Sequence, residues 1–113
     1  MRERLAEAVR AIADRRPEVE EVVLFGSLAR GDATPGSDAD LLVVLSSSDV
    51  SFLHRIPRYL PADCGIGVDV FPYTRDELAS RLATSPRWAR EVAEGIVLYQ
   101  REANGGPESP ETA

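Results

Sequence analysis

Apolar residues recur along the chain with two different spacings, one typical of helices and one typical of strands. Over residues 2–16 an apolar residue appears every three or four positions among charged ones, which predicts an amphipathic helix that ends at Pro17. Shorter apolar runs follow, and each is bounded by polar or glycine-rich stretches. They predict four strands: Val19 to Phe25, Asp38 to Leu45, Ile66 to Phe71, and Ile96 to Tyr99.

Three further helices are predicted between these strands. The segment from Phe52 to Leu60 has helical spacing but is interrupted by Pro57, so we expect a short, broken helix there. Thr74 and Glu77 have the spacing of a capping box and predict the start of the next helix. Ser85 followed by proline predicts the start of another, which Gly95 ends.

An abrupt turn follows the first predicted strand. Its apolar run stops at Gly26-Ser27, three helix-forming residues follow, and Gly31 breaks the helix, so we expect a strand, a tight turn and a short helix. Backbone N–H groups at a helix start have no partner within the helix and lie at the positive end of its dipole. The stretch therefore predicts a phosphate-binding turn at Gly26 and Ser27.

Paired carboxylates begin the second predicted strand. Asp38 and Asp40 are two residues apart, and in a strand this spacing directs both side chains to one face, roughly 7 Å apart. Asp69 stands alone in the middle of the third strand, where an unpaired carboxylate is costly to bury. It should therefore lie at a sheet edge or face a compensating charge. Three acids of this kind suit a divalent cation with hard oxygen ligands.

These residues resemble the signature of a known family. Gly26-Ser27, Arg30-Gly31 and Ser37-Asp38-x-Asp40-Leu41 are similar to the motifs of the minimal nucleotidyltransferases (MNT) of the DNA polymerase beta superfamily. The motifs cover about a fifth of the chain, and the predicted order of elements is similar over most of its length. The resemblance implies an α+β fold with a small mixed β-sheet and helices packed mainly on one face.

The resemblance also implies a set of residue roles. Asp38 and Asp40 would bridge two Mg²⁺ ions, and Asp69 would complete the second metal site and help to deprotonate the acceptor. Gly26, Ser27 and Ser37 would bind the nucleotide, the first two at its β- and γ-phosphates. Arg30 is expected either to touch phosphate or to pair with one of the acids, and both uses stay open.

The acceptor is suggested by resemblance alone. Small stand-alone members of the family resemble the antitoxins of HEPN/MNT toxin–antitoxin pairs, so the expected reaction is transfer of AMP from ATP to a tyrosine of a HEPN-type ribonuclease partner. Two alternatives stay open: a non-catalytic antitoxin that neutralises its partner by occlusion, and nucleotidyl transfer to a small molecule. In the first and expected reading the protein works as part of a hetero-oligomer.

Composition narrows the choice of partners and ligands. The 113 residues are expected to form one domain over 1–102 and a disordered tail over 103–113. A net charge of −6 argues against direct binding of nucleic acid. The only cysteine and the only histidine, Cys64 and His54, rule out an internal disulfide and a cysteine/histidine zinc site. With neither an apolar span nor a secretory signal pattern, we expect a cytoplasmic protein without membrane contact.

Overall fold

A four-stranded sheet organises the chain in the computed structural model, which describes residues 2–31, 38–61 and 67–101. The strands are β1 (Val19–Phe25), β2 (Ala39–Leu45), β3 (Val68–Thr74) and β4 (Ile96–Gln100). The helices are α1 (Arg2–Arg15), α2 (Ser27–Arg30), α3 (Phe52–Arg55), α4 (Arg75–Thr84) and α5 (Pro86–Ala93), and a single 3₁₀ turn, Ile56–Arg58, follows α3.

The strand order across the sheet is β3-β2-β1-β4. Strand β1 pairs antiparallel with β2 on one side and with β4 on the other, whereas β2 and β3 are parallel. A parallel pair needs a crossover connection, and α3 with its 3₁₀ turn lies within this one. The two central strands, β1 and β2, are almost fully buried, as their continuous apolar runs predict.

Alternate residues of the strands pack into separate apolar clusters on the two faces of the sheet. One face carries the larger cluster, in which Leu5, Val9 and Ile12 of α1 pack against β1 and β2. The other face carries Phe25 and its neighbours, and here the apolar residues of α4 and α5 provide the cover. The fold class inferred from the sequence is confirmed, with one difference in packing. Helices cover both faces rather than mainly one, because every buried strand needs apolar cover on each side.

Local signals set the helix boundaries. Thr74 and Glu77 form the reciprocal capping box at the start of α4, and the Ser85 hydroxyl accepts a hydrogen bond from the Trp88 N–H at the start of α5. Gly31 ends α2 in the left-handed conformation, with φ 82°. These termini agree with the sequence because caps depend on neighbouring residues alone.

A buried cation joins the crossover to α4. Arg55 is only 4% exposed, and its guanidinium donates to both carboxylate oxygens of Glu77 at 2.6 and 3.0 Å. It also donates to the carbonyl oxygens of Val50 and Pro72. This bidentate pair holds the pKa of Glu77 down at about 2. The contact ties α3, β3 and α4 together beneath the sheet edge.

Some expectations differ in detail or lie outside the described residues. The third strand runs to Thr74, past the predicted end at Phe71, and it includes Pro72 because β3 is an edge strand. The loop that contains Ser37, the cysteine at position 64 and the predicted tail 103–113 fall outside the described residues. Within the ranges that are described, none of the helices has the length and apolar character needed to cross a bilayer.

Candidate active site

The turn between β1 and α2 brings a carboxylate against a glycine. Gly26 has φ 80° and ψ −155°, a conformation open essentially to glycine alone. A Cβ at this position would lie 2.5 Å from Oδ2 of Asp40, which pairs with Phe25 across the β1–β2 ladder. Position 26 therefore requires glycine for two reasons: its backbone angles, and the Asp40 carboxylate that would clash with a Cβ.

Strand register brings two of the predicted acids side by side. Asp40 of β2 is the parallel register partner of Asp69 of β3, and Asp69 is exposed on the edge strand, as expected for a lone carboxylate. Asp38 precedes β2 by one residue and is exposed, and its carboxylate lies against Gly67. Asp40 and Asp69 both alternate with residues that face α1, so they lie on the face that α4 and α5 cover.

The electrostatics of Asp40 reflect these neighbours. Burial raises the pKa of this carboxyl above its ordinary value of 3.8. The charges of Asp69 and Asp38 raise this pKa further, and that of Glu91 acts in the same direction. The Arg30 guanidinium lowers it. Asp40 is therefore a carboxylate whose negative charge is under-compensated, which favours a cationic ligand.

The carboxylates of Asp38, Asp40 and Asp69 are suitable ligands for a hard divalent cation, but the three side chains do not form a compact cluster. Among residues 2–31, 38–61 and 67–101, no three His, Cys, Asp or Glu side chains are close enough to hold an ion together. Asp40 lies against Gly26 and Asp38 against Gly67. Because both neighbours are glycines, no Cβ obstructs these carboxylates. Carboxylate oxygens beside substrate phosphates are the usual ligands of Mg²⁺.

A cavity of about 530 Å³ opens beside Asp40, large enough for a nucleotide-sized ligand. Its walls come from four parts of the fold: the β1–α2 segment, β2, the end of α4, and α5 with its N-cap. The lining residues are Phe25, Gly26, Ser27, Arg30, Asp40, Arg81, Ser85, Arg87, Trp88 and Glu91.

An ion pair crosses the cavity rim. Arg30 donates to Oε1 of Glu91 at 2.6 Å, and this contact joins α2 to α5. Of the two uses left open for Arg30, an ion pair is thus observed, although its acid is Glu91 and not one of the three predicted acids. Arg30 is also close enough to Asp40 to lower the pKa of that carboxyl. Arg30 therefore pairs with Glu91 and also acts electrostatically on Asp40.

Aromatic rings form the floor beneath the cavity. Trp88 packs on Phe25 with ring centroids 5.2 Å apart, and Phe71 and Tyr73 meet its edge at 5.6 Å. Arg81 lies over the indole face at 5.3 Å from the centroid. Trp88 is therefore a packing residue that also contributes to the cavity wall.

Sequence comparison assigns a family to this site. A family model for the nucleotidyltransferase domain matches residues 4–87, which include β1, α2, β2 and β3 with all three acids. The chain belongs to this nucleotidyltransferase family. The resemblance inferred from the glycine-serine turn and the acid pair is thereby confirmed. No significant match exists among the curated proteins.

Solved structures support the same fold for this nucleotidyltransferase. The crystal structure of a candidate nucleotidyltransferase from Sulfolobus solfataricus matches with a TM-score of 0.63 and 26% identity, over 89% of this chain and 81% of the other. The crystal structure of a toxin–antitoxin with AMP-PNP matches with a TM-score of 0.55 and 18% identity, over 88% of this chain and 73% of the other.

The predicted site residues are partly brought together by the fold. Gly26, Ser27, Arg30 and Asp40 line one cavity, and Asp69 adjoins Asp40 through the strand register. Their functional roles stay predictions. His54 is exposed and lies within hydrogen-bond distance of the Ser51 hydroxyl.

Other cavity residues were not anticipated from the sequence. Arg81, Arg87 and Glu91 belong to helices whose arginines and acids look alike along the chain. Nothing in their spacing says which of them faces the β1–α2 turn. That assignment depends on how α4 and α5 pack on the sheet, which is a long-range property.

Proposed function

We propose that this nucleotidyltransferase transfers AMP from ATP to a protein acceptor, with Mg²⁺ as cofactor, and that the acceptor is a tyrosine of a HEPN-type toxin partner. The observation that carries the proposal is the position of Asp40. This acid adjoins Asp69 in the strand register, lies against the glycine of the β1–α2 turn and lines the 530 Å³ cavity. Family membership supports the reaction class.

The predicted site residues would have different roles in the reaction. Asp38, Asp40 and Asp69 would hold the divalent cations, which neutralise phosphate charge and polarise the α-phosphate when bound. Ser27 and the N–H groups that begin α2 would hold the phosphates at the turn. Asp69, exposed on the edge strand, would accept the proton of the acceptor hydroxyl.

The bond changes are those of a displacement at phosphorus. The tyrosine oxygen would form a bond to the α-phosphorus, and the bond from that phosphorus to the bridging oxygen of the β-phosphate would break. The electron pair leaves with pyrophosphate, and the phenolic proton leaves with the carboxylate or with water. No oxidant or further reactant is required, so positioning and charge stabilisation account for the catalysis.

The partner is inferred from structural similarity. A structural neighbour is a toxin–antitoxin crystallised with AMP-PNP. By analogy with such a pair, a separate protein would present the tyrosine. The proposal places the protein in the cytoplasm, where ATP and such a partner meet.

The test is label transfer from ATP that carries a labelled α-phosphate. The chain is incubated with Mg²⁺ and the protein encoded next to it, and the label is located by electrophoresis and mass spectrometry. We expect label on a partner tyrosine, and none after chelation of the metal. Asp40→Asn should abolish the transfer, while Asp49→Asn, an equivalent change at an exposed acid outside the cavity, should leave it intact.

Other results of this experiment would favour one of the alternative functions. Tight association of the partner with both native and Asp40→Asn chains, without label, would indicate neutralisation by occlusion. Label that appears on an added small molecule and not on the partner would indicate a small-molecule acceptor. Equal transfer by the native and Asp40→Asn chains would show that the site at Asp40 does not catalyse the reaction.

A further inference from the structure

Two arginines face the cavity from the corner between α4 and α5. Arg81 lies in the last turn of α4 and Arg87 in the first turn of α5, and both side chains are exposed and line the cavity. The acid Asp40 lines the same cavity from β2. The cavity thus has an acidic end at the strands and a basic end at the helix corner.

The charges at the cavity do not cancel. Glu91 is occupied by its ion pair with Arg30. In contrast, neither Arg81 nor Arg87 forms an ion pair within the described part of the chain. Arg81 is instead oriented by its contact with the Trp88 ring. A guanidinium in this position can donate several hydrogen bonds in one plane, which suits phosphate oxygens.

We propose that Arg81 and Arg87 bind the β- and γ-phosphates of the nucleoside triphosphate and so make the site select triphosphates over monophosphates. This inference rests on the proposed function, in which the triphosphate occupies this cavity. The reacting α-phosphate belongs beside Asp40, where the cations would lie. The remaining two phosphates then lie between the β1–α2 turn and the positive charge that α4 and α5 supply across the same cavity.

The same contacts would assist the departure of pyrophosphate. Negative charge builds on the β-phosphate as its bridging oxygen separates from the α-phosphorus. Fixed guanidinium donors at that position stabilise this charge without any transfer of a proton. Arg81 and Arg87 would therefore bind substrate directly and also stabilise the leaving group.

The test compares two ligands that differ in the phosphate tail. Isothermal titration measures the affinity of the chain for AMP-PNP and for AMP, each with Mg²⁺, in native, Arg81→Gln, Arg87→Gln and doubly substituted forms. We expect each substitution to weaken AMP-PNP binding about tenfold or more, as is usual for charge-assisted hydrogen bonds, and to leave AMP binding unchanged. Arg81→Lys should recover part of the loss.

A matched control lies on the same helix. Arg90 is exposed on α5 and does not line the cavity, so Arg90→Gln makes the same change in net charge away from the site. It should bind AMP-PNP like the native chain. Arg81→Gln also removes the contact with Trp88, so thermal unfolding is measured for every variant. Arg87→Gln removes no such contact and tests the inference independently of folding.

The outcomes separate this inference from the proposed function. If the native chain binds AMP-PNP and the double variant binds it equally well, the inference is wrong while nucleotide binding stands. Equal weakening of AMP and AMP-PNP would also contradict it, because the arginines would then act on the shared part of the ligand. If the native chain binds no nucleotide, the proposed function and this inference both fail.

Discussion

Substitution of Gly26 by alanine tests whether the position of the Asp40 carboxylate controls activity. The new Cβ would lie 2.5 Å from Asp40 Oδ2, whereas ordinary contact begins at 3.4 Å, so the carboxylate must retreat by about 0.9 Å. Displacements of about 1 Å at a reacting centre can lower rates by roughly 100-fold. The backbone angles add a strain of about 1–3 kcal/mol. We therefore expect a folded, less stable protein with about 100-fold less transfer.

Gly31 provides the control for this experiment. It also has a positive φ, 82°, but no atom in the described part of the chain lies within 4 Å of a Cβ placed there. Gly31→Ala should therefore cost about 1–2 kcal/mol of stability through backbone strain alone and keep near-native activity. Label transfer gives the activity, and urea unfolding gives the stability.

The comparison has a definite refuting result. If both alanine variants lose activity to the same extent, strain in α2 and not the displaced carboxylate explains the loss. If Gly26→Ala is folded and fully active, the exact position of Asp40 does not matter to the reaction. Either result would contradict the reasoning from the close approach.

Other substitutions separate stability from activity. Because burial and neighbouring acids raise the pKa of Asp40, its charged form opposes folding, so Asp40→Asn should raise the melting temperature slightly while it abolishes transfer. Glu77→Gln leaves the buried Arg55 without its counter-ion and should cost about 2 kcal/mol in urea unfolding, less than a fully buried pair because the Glu77 side chain is 43% exposed. The pKa of Glu77 is lowered from 4.5 to about 2, so its stabilising effect is complete above pH 4.5 and is lost as the pH falls toward 2. Unfolding free energies measured across that range should therefore decline more steeply for the native chain than for Glu77→Gln, and parallel curves would contradict the ion pair as the cause.

Local patterns predicted the elements that depend on a few adjacent residues. The continuous apolar run from Val22 to Phe25 matches the buried second half of β1, because a strand buried on both faces needs no alternation. The capping box at Thr74 starts α4 where the sequence placed it, since its two hydrogen bonds lie within four residues. The glycine at position 31 ends α2 for the same kind of reason.

Longer-range features were harder to infer from the chain. The Arg55 guanidinium is buried although arginine is usually exposed, and only the approach of α4 to the crossover supplies its partner. The third strand continues through Pro72 because an edge strand tolerates the missing N–H. Helices on both sheet faces likewise follow from the apolar character of both sides of β1 and β2.

The amino-acid sequence is sufficient to predict the family of this protein and the three acids of its candidate site. The glycine-serine turn, the pair Asp38 and Asp40, and the later Asp69 are short, ordered signals that identify a nucleotidyltransferase before any contact is known. Which side chains face these acids depends on long-range packing. The register between β2 and β3 aligns Asp69 with Asp40. The packing of α5 on the sheet brings Glu91 into contact with Arg30. These contacts join residues that are distant in the chain, and they depend on burial and packing. The spacing of residues along the sequence therefore does not predict them.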